Sequence, residues 1–230
     1  MTVFPAPPLD PSRLRGLVFD LDGTLVDSFR AIATAANAAR AACGFPPLSV
    51  DEVRRRVGGG LRRLMLGLVG DEHLDTGIAT FERVYAEVYL DDTDETPGAL
   101  ATLAALRERG FRLTVASNKP AAFCAPLLDR LGMLTHLDAV EAPETAGSTK
   151  PHPAMVRRCL AAMRTTAEHA AYVGDMPLDV ETAGRAGVPV ILVACGGFGV
   201  DDLRATGHTS VATLPDLLAL VPGRPLGETP

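Results

Sequence analysis

Asp20-Leu21-Asp22-Gly23-Thr24 sets two carboxylates and a turn directly after the apolar run Gly16-Leu17-Val18-Phe19. An apolar run followed by Asp and Gly reads as a buried strand opening into a loop, and in parallel α/β sheets chemistry collects at the carboxyl ends of strands. Two acids this close repel each other and are costly to desolvate, so the tip needs a positive partner. Ser117-Asn118 and Asp175, with Asp179 four residues on, end later apolar runs in the same way, and Lys150 lies in the loop between them. If the tips share one sheet edge, Asp20, Asp22, Asp175 and Asp179 converge on the single ammonium of Lys150. That deficit suits a hard divalent cation such as Mg²⁺, with a phosphate completing the charge balance.

The elements that would hold these residues follow from periodicity and caps. After the first strand, Asp27-Ser28 can cap a helix through Ile32, Ala35, Ala36 and Ala39 that ends near Gly44. Ser49 to Glu52 is a capping box for a second helix running to Gly58-Gly59-Gly60. Further helical spacing covers Leu61 to Val69 and Glu72 to Leu90. This all-helical stretch is too long for an ordinary strand-to-helix connection and reads as an inserted cap. From Pro97-Gly98 onward, short strands at Phe111 to Ala116, Asp138 to Val140, Ala170 to Val173, Val190 to Val193 and Ser210-Val211 alternate with single helices. That alternation predicts an α/β fold with a doubly wound, mostly parallel, Rossmann-like sheet. The predicted division is a core of residues 1–26 and 94–230 and a helical cap of residues 27–93.

Formal net charge is −6 and the sequence pI is 5.4, with no long block of Lys or Arg. This argues against a dedicated nucleic-acid or anionic-membrane binder and favours a small-molecule partner. Cys43, Cys124, Cys159 and Cys195 are far apart and form no C-x-x-C pair, so reduced thiols and a cytoplasmic location are expected rather than a zinc site or disulfide framework. Met1 to Pro11 reads as a Pro-rich lead-in without the basic start and apolar core of a signal peptide. No stretch reaches the roughly 20 apolar residues of a membrane span. Monomer and homodimer are equally compatible with the sequence.

Asp20-Leu21-Asp22-Gly23-Thr24, Ser117, Lys150 and Gly174-Asp175 with Asp179 resemble, in order, the four motifs of the haloacid-dehalogenase superfamily, of the kind with a helical cap inserted after the first strand. The resemblance covers nearly the whole chain. It implies that Asp20 is a nucleophile forming an aspartyl-phosphate and that Asp22 protonates the leaving alcohol and then activates water. It further implies a Mg²⁺ held by Asp20, the backbone carbonyl of Asp22, Asp175 and Asp179, the last directly or through water. Ser117, Asn118 and Lys150 would hold the phosphoryl oxygens, and Thr24 would support the loop and bind phosphate or the nucleophile's surroundings.

Departures narrow the class. The superfamily's dehalogenases lack a carboxylate two residues after the nucleophile, so Asp22 favours a phosphate substrate. Phosphonate-cleaving relatives use a cap Lys, and residues 27–93 contain none. A P-loop is excluded because no G-K-[ST] occurs. Val57-Gly58-Gly59-Gly60-Leu61-Arg62 resembles the V-G-x-G cap loop of phosphoglycolate phosphatases, where Gly58, Gly59 and Gly60 would let amides approach a small anion and Arg62 or Arg63 would pair with a carboxylate. The leading expectation is therefore a Mg²⁺-dependent phosphomonoester hydrolase acting on a small phosphorylated metabolite, phosphoglycolate first. The alternatives are a phosphatase for a sugar phosphate, nucleotide or pyrophosphate, a β-phosphoglucomutase-like phosphomutase, and a non-catalytic phosphate-binding module. The mutase reading is weakened because Ser28-Phe29-Arg30 offers no His.

Overall fold

A computed structural model describes residues 6–221. In chain order its strands are β1 (Gly16–Phe19), β2 (Val26–Asp27), β3 (Asp94–Glu95), β4 (Arg112–Ala116), β5 (Ala139–Glu141), β6 (Ala170–Gly174), β7 (Val190–Val193) and β8 (Thr209–Val211). Six of them form one sheet in the order β5-β4-β1-β6-β7-β8, and every pairing in it is parallel. β1 is thus central, with chain crossing away from it on both sides. This is the α/β, Rossmann-like architecture that the alternating pattern predicts.

Successive side chains on a strand point to opposite faces, and both faces here are covered. Leu17 and Phe19 of β1, Val173 of β6 and Ile191 of β7 join one buried cluster, whereas Val18, Tyr172 and Leu192 join the other. The strands therefore read as continuous apolar runs. With side chains pinned on both faces, the polar tips that follow the strands are fixed in register along one edge.

Four helices follow β2: α1 (Phe29–Ala42), α2 (Val50–Arg54), α3 (Leu61–Val69) and α4 (Leu74–Val88). They build a third cluster around Ile32, Ala36, Val53, Leu64, Met65, Phe81 and Tyr85. The capping box of Ser49 and Glu52 forms. α2, however, stops four residues before Gly58, because Arg56 and Val57 donate to carbonyls three residues back and tighten the chain into turns. The antiparallel ribbon β2-β3 pairs Val26 with Glu95 and Asp27 with Asp94, clamping the entry and exit of the helical segment. Two-residue strands carry no readable periodicity, so this ribbon is not predictable from the amino-acid order. Of the predicted lead-in, residues 1–5 lie outside the described residues, and Pro11–Arg13 forms a single 3₁₀ turn. No described helix is long and apolar enough to cross a membrane.

Candidate active site

Asp20 directly follows β1, and its N–H still donates to the Val173 carbonyl of β6 at 2.8 Å. The sheet thereby fixes the first carboxylate. Its Oδ1 accepts from the Leu21 N–H at 2.7 Å and lies 2.8 Å from Lys150 Nζ. Oδ2 makes no hydrogen bond among the described residues. Lys150 Nζ also meets Asp179 Oδ1 at 2.9 Å and donates to Tyr172 Oη at 3.0 Å, and Tyr172 donates onward to the Ala116 carbonyl. The ammonium is held from three sides.

Asp20, Asp175 and Asp179 offer carboxylate oxygens that all lie within 4.8 Å of one another, and all three residues are buried. Asp179 is largely committed: Oδ1 meets Lys150, while Oδ2 accepts the Asp175 and Met176 N–H groups at the start of the helix Pro177–Ala186. Asp175 is different. Its Oδ1 accepts from Thr24 Oγ1 at 3.0 Å, but its Oδ2 is buried without a partner. A Cβ on Gly196 would sit 1.7 Å from that oxygen and one on Gly23 2.8 Å from it, so two glycines keep its surroundings clear. Three buried carboxylates against one ammonium, an orphaned oxygen and an all-oxygen donor set fit a divalent cation. Asp20, Asp175 and Asp179 are the side chains that would hold it.

The electrostatics carry the same mark. Burial pushes the Asp20 carboxyl up to about 7, against the opposing pull of Lys150, and Asp179 adds to the rise. The Asp175 carboxyl is held well above the ordinary carboxylate range by burial and then by Asp179 and Asp20. Burial works against the Lys150 ammonium, but Asp179 and Asp20 outweigh it and keep the group charged.

Asp22 stands outside the cluster. Its Oδ1 accepts from Ser28 Oγ and from Lys119 Nζ, the latter at 2.7 Å. Ser28 consequently does not cap α1 with its side chain, the role its sequence position suggested, and the Phe29 N–H is met by Asp27 instead. Lys119 corrects the charge count made from sequence: the site contains two ammonium groups, Lys119 on Asp22 and Lys150 among the other three acids. A signal existed, since Lys119 and Lys150 are the only lysines in the chain and every other strong cation is Arg.

A half-open cavity of about 60 Å³ lies over this edge, lined by Asp20, Asp22, Ser117, Asn118, Lys119 and Lys150 from below and by Ile32, Gly58, Gly60, Leu64, Phe81 and Tyr85 from the cap side. Ser117 is buried at the β4 tip, its Oγ accepting from the Lys119 N–H at 3.1 Å. The Asn118 side chain is spent on structure: Nδ2 donates to the Gly58 carbonyl of the cap loop at 2.8 Å and to the Lys150 carbonyl, and Oδ1 accepts the Lys150 N–H. The Thr24 hydroxyl points to Asp175 rather than lining the cavity. Gly59 and Arg63 line a separate groove beside Met176 and Phe198, and Arg62 is exposed and lines neither space. Met176 packs beneath the cap loop, where a Cβ on Gly58 would meet its sulfur at 2.6 Å.

Residues 17–193 match the family described as haloacid dehalogenase-like hydrolase. Among curated relatives, the phosphoglycolate phosphatase of Rhodospirillum rubrum is 36% identical over 94% of this chain and 96% of its own length. Those of Cupriavidus necator and Aquifex aeolicus are 34% and 33% identical, over 88% and 80% of this chain and 92% and 86% of theirs. In fold, a haloacid dehalogenase-like family hydrolase from Streptococcus pneumoniae superposes with a TM-score of 0.83 over 92% of this chain and 100% of its own, at 19% identity. Motif order, sheet topology and these relatives agree, and the chain belongs to the haloacid dehalogenase-like hydrolases.

Proposed function

We propose that this enzyme is a Mg²⁺-dependent phosphomonoester hydrolase whose preferred substrate is phosphoglycolate. The observation that carries the reading is the Asp20–Lys150–Asp179–Asp175 cluster, with its orphaned Asp175 Oδ2, set beneath a small half-open cavity. The curated relatives named phosphoglycolate phosphatase support the substrate. So does the compact cavity, whose cap wall is mostly apolar, with Ile32, Leu64 and Phe81 and only the Tyr85 hydroxyl as a polar side-chain group.

Asp20 Oδ1 is pinned by Leu21 and Lys150, which leaves Oδ2 as the oxygen that attacks phosphorus. The P–O bond to the alcohol breaks as the P–Oδ2 bond forms, and Asp22 gives its proton to the departing oxygen. Asp22 then takes a proton from the water that attacks the aspartyl-phosphate, releasing phosphate and restoring Asp20. Splitting hydrolysis in this way replaces one difficult step by two easier ones. Ser117 and Lys150 line the cavity where the phosphoryl oxygens would lie and offer donors to the charge that develops there. A bound divalent cation would supply further neutralisation of phosphoryl charge.

Phosphate release from phosphoglycolate tests this. Asp20→Asn is expected to lower kcat by about 10⁴-fold or more, as loss of a covalent nucleophile does. Turnover by that variant at the wild-type rate, or turnover surviving exhaustive chelation, contradicts the nucleophile or the metal respectively.

A further inference from the structure

Two cations line the cavity, and the chemistry at phosphorus uses only one. Lys150 is committed to Asp20 and Asp179. The Lys119 side chain is 3% exposed and gives one of its three N–H donors to Asp22. Beyond Asp22 its Nζ faces Tyr85: it lies over the ring, 4.9 Å from the centre, and interacts with the Tyr85 hydroxyl from outside normal hydrogen-bond distance. Tyr85 comes from the cap side, and its buried hydroxyl lacks a close hydrogen-bond partner. An ammonium with a donor to spare and a phenol without a close hydrogen-bond partner therefore meet at the wall of one small cavity. Both are costly to bury unless something accepts from them.

We propose that Lys119 Nζ, assisted by the Tyr85 hydroxyl, is the subsite for the carboxylate of the substrate, and so the group that selects a phosphorylated hydroxy acid over a simple phosphate ester. The proposal rests on the phosphomonoesterase reading above. Asp22 meets the ester oxygen, and Lys119 is bonded to Asp22, so an anion seated on Lys119 lies close to that oxygen. A carboxylate one carbon removed from the ester oxygen reaches it; a longer tether overshoots in so small a cavity. The cap arginines that the sequence put forward are not needed for this task, since neither Arg62 nor Arg63 lines the cavity.

The test compares kcat/KM for phosphoglycolate with that for ethyl phosphate, which carries a methyl group where the acid carries its carboxylate. Wild-type enzyme is expected to favour phosphoglycolate strongly. Lys119→Met should reduce that ratio by about 10- to 100-fold, the usual worth of a hydrogen bond to a charged group. Tyr85→Phe, which removes only the hydroxyl, should reduce it by roughly 5- to 10-fold, chiefly through KM. Lys119→Arg, which keeps the charge but changes its geometry, should retain part of the preference. If the wild type shows no preference, the substrate reading falls and the subsite with it. If the wild type prefers phosphoglycolate but Lys119→Met and Tyr85→Phe slow both esters equally, the substrate stands and the subsite is overturned. Should Lys119→Met fail to fold, Tyr85→Phe and Lys119→Arg decide the matter by the same ratio.

Discussion

The side-chain amide of Asn118 donates to the Gly58 carbonyl at 2.8 Å, joining the tip of β4 to the glycine loop of the cap. The same side chain brackets the Lys150 peptide on both its N–H and its carbonyl. One residue thus ties the cap to the loop that carries the ammonium beside Asp20. Asn118→Ala strips three hydrogen bonds, two of them buried, and is expected to cost about 2–4 kcal/mol of stability, read from urea denaturation. Its loss in kcat should exceed that of a cap-surface variant such as Arg62→Ala, which touches neither partner.

Gly196 is expected to be indispensable for metal binding and dispensable for folding of the sheet. A methyl group there would lie 1.7 Å from Asp175 Oδ2, so the carboxylate must move. Gly196→Ala should weaken divalent-cation affinity by about 10- to 100-fold, as other disturbances around metal ligands do. Isothermal calorimetry with Mg²⁺ measures the loss, and an unchanged far-ultraviolet circular dichroism spectrum shows that the fold is kept.

The carboxylate cluster predicts a pH signature for the metal-free protein. The Asp20 carboxyl is raised to about 7 and that of Asp175 is raised well above its ordinary value, chiefly by burial. Carboxyls whose folded pKa is raised contribute stability that is present below the unfolded value near 4 and lost as pH climbs through the folded value. The melting temperature of metal-free protein should therefore fall between about pH 4 and 7. Added Mg²⁺ should restore it, with a gain that grows with pH, and binding at pH 6 should release protons. A metal-free melting temperature that climbs steadily across that window would contradict the assigned crowding.

The four thiols should differ in reactivity. Cys124 and Cys159 are buried, and burial pushes both up to about 12. The Cys195 thiol, less deeply placed, is pushed up to about 11, again chiefly by burial. Native protein at pH 8 should be modified by a disulfide reagent at Cys43 first, with Cys124 and Cys159 reacting only when urea unfolds the chain. Peptide mapping after timed labelling identifies the order.

Much of this was legible in the amino-acid order. Asp20, Ser117 and Asp175 announce themselves because each is a polar residue closing an apolar run, and an apolar run buried on both faces leaves one place for its polar end. The capping box at Ser49 and Glu52 was equally local. What escaped notice was relational. Ser28 looked like a helix cap until Asp22 claimed its hydroxyl, and Lys119 drew no attention in the sequence although it meets Asp22. Thr24 read as a ligand of phosphate or of the surroundings of Asp20, and only the fold shows its hydroxyl reaching Asp175, 151 positions away.

The sequence by itself determined the parallel sheet, the helical stretch after the first strand and the polar residues that end the strands, because strand runs, caps and motif spacing are local properties of the chain. Only the tertiary structure decided which charges neutralise which. Lys119 and Asp22 stand 97 residues apart and pair because β1 and β4 are adjacent in the sheet. A long-range ion pair at a cavity wall depends on where the sheet brings two strand tips together, and no local pattern carries that information.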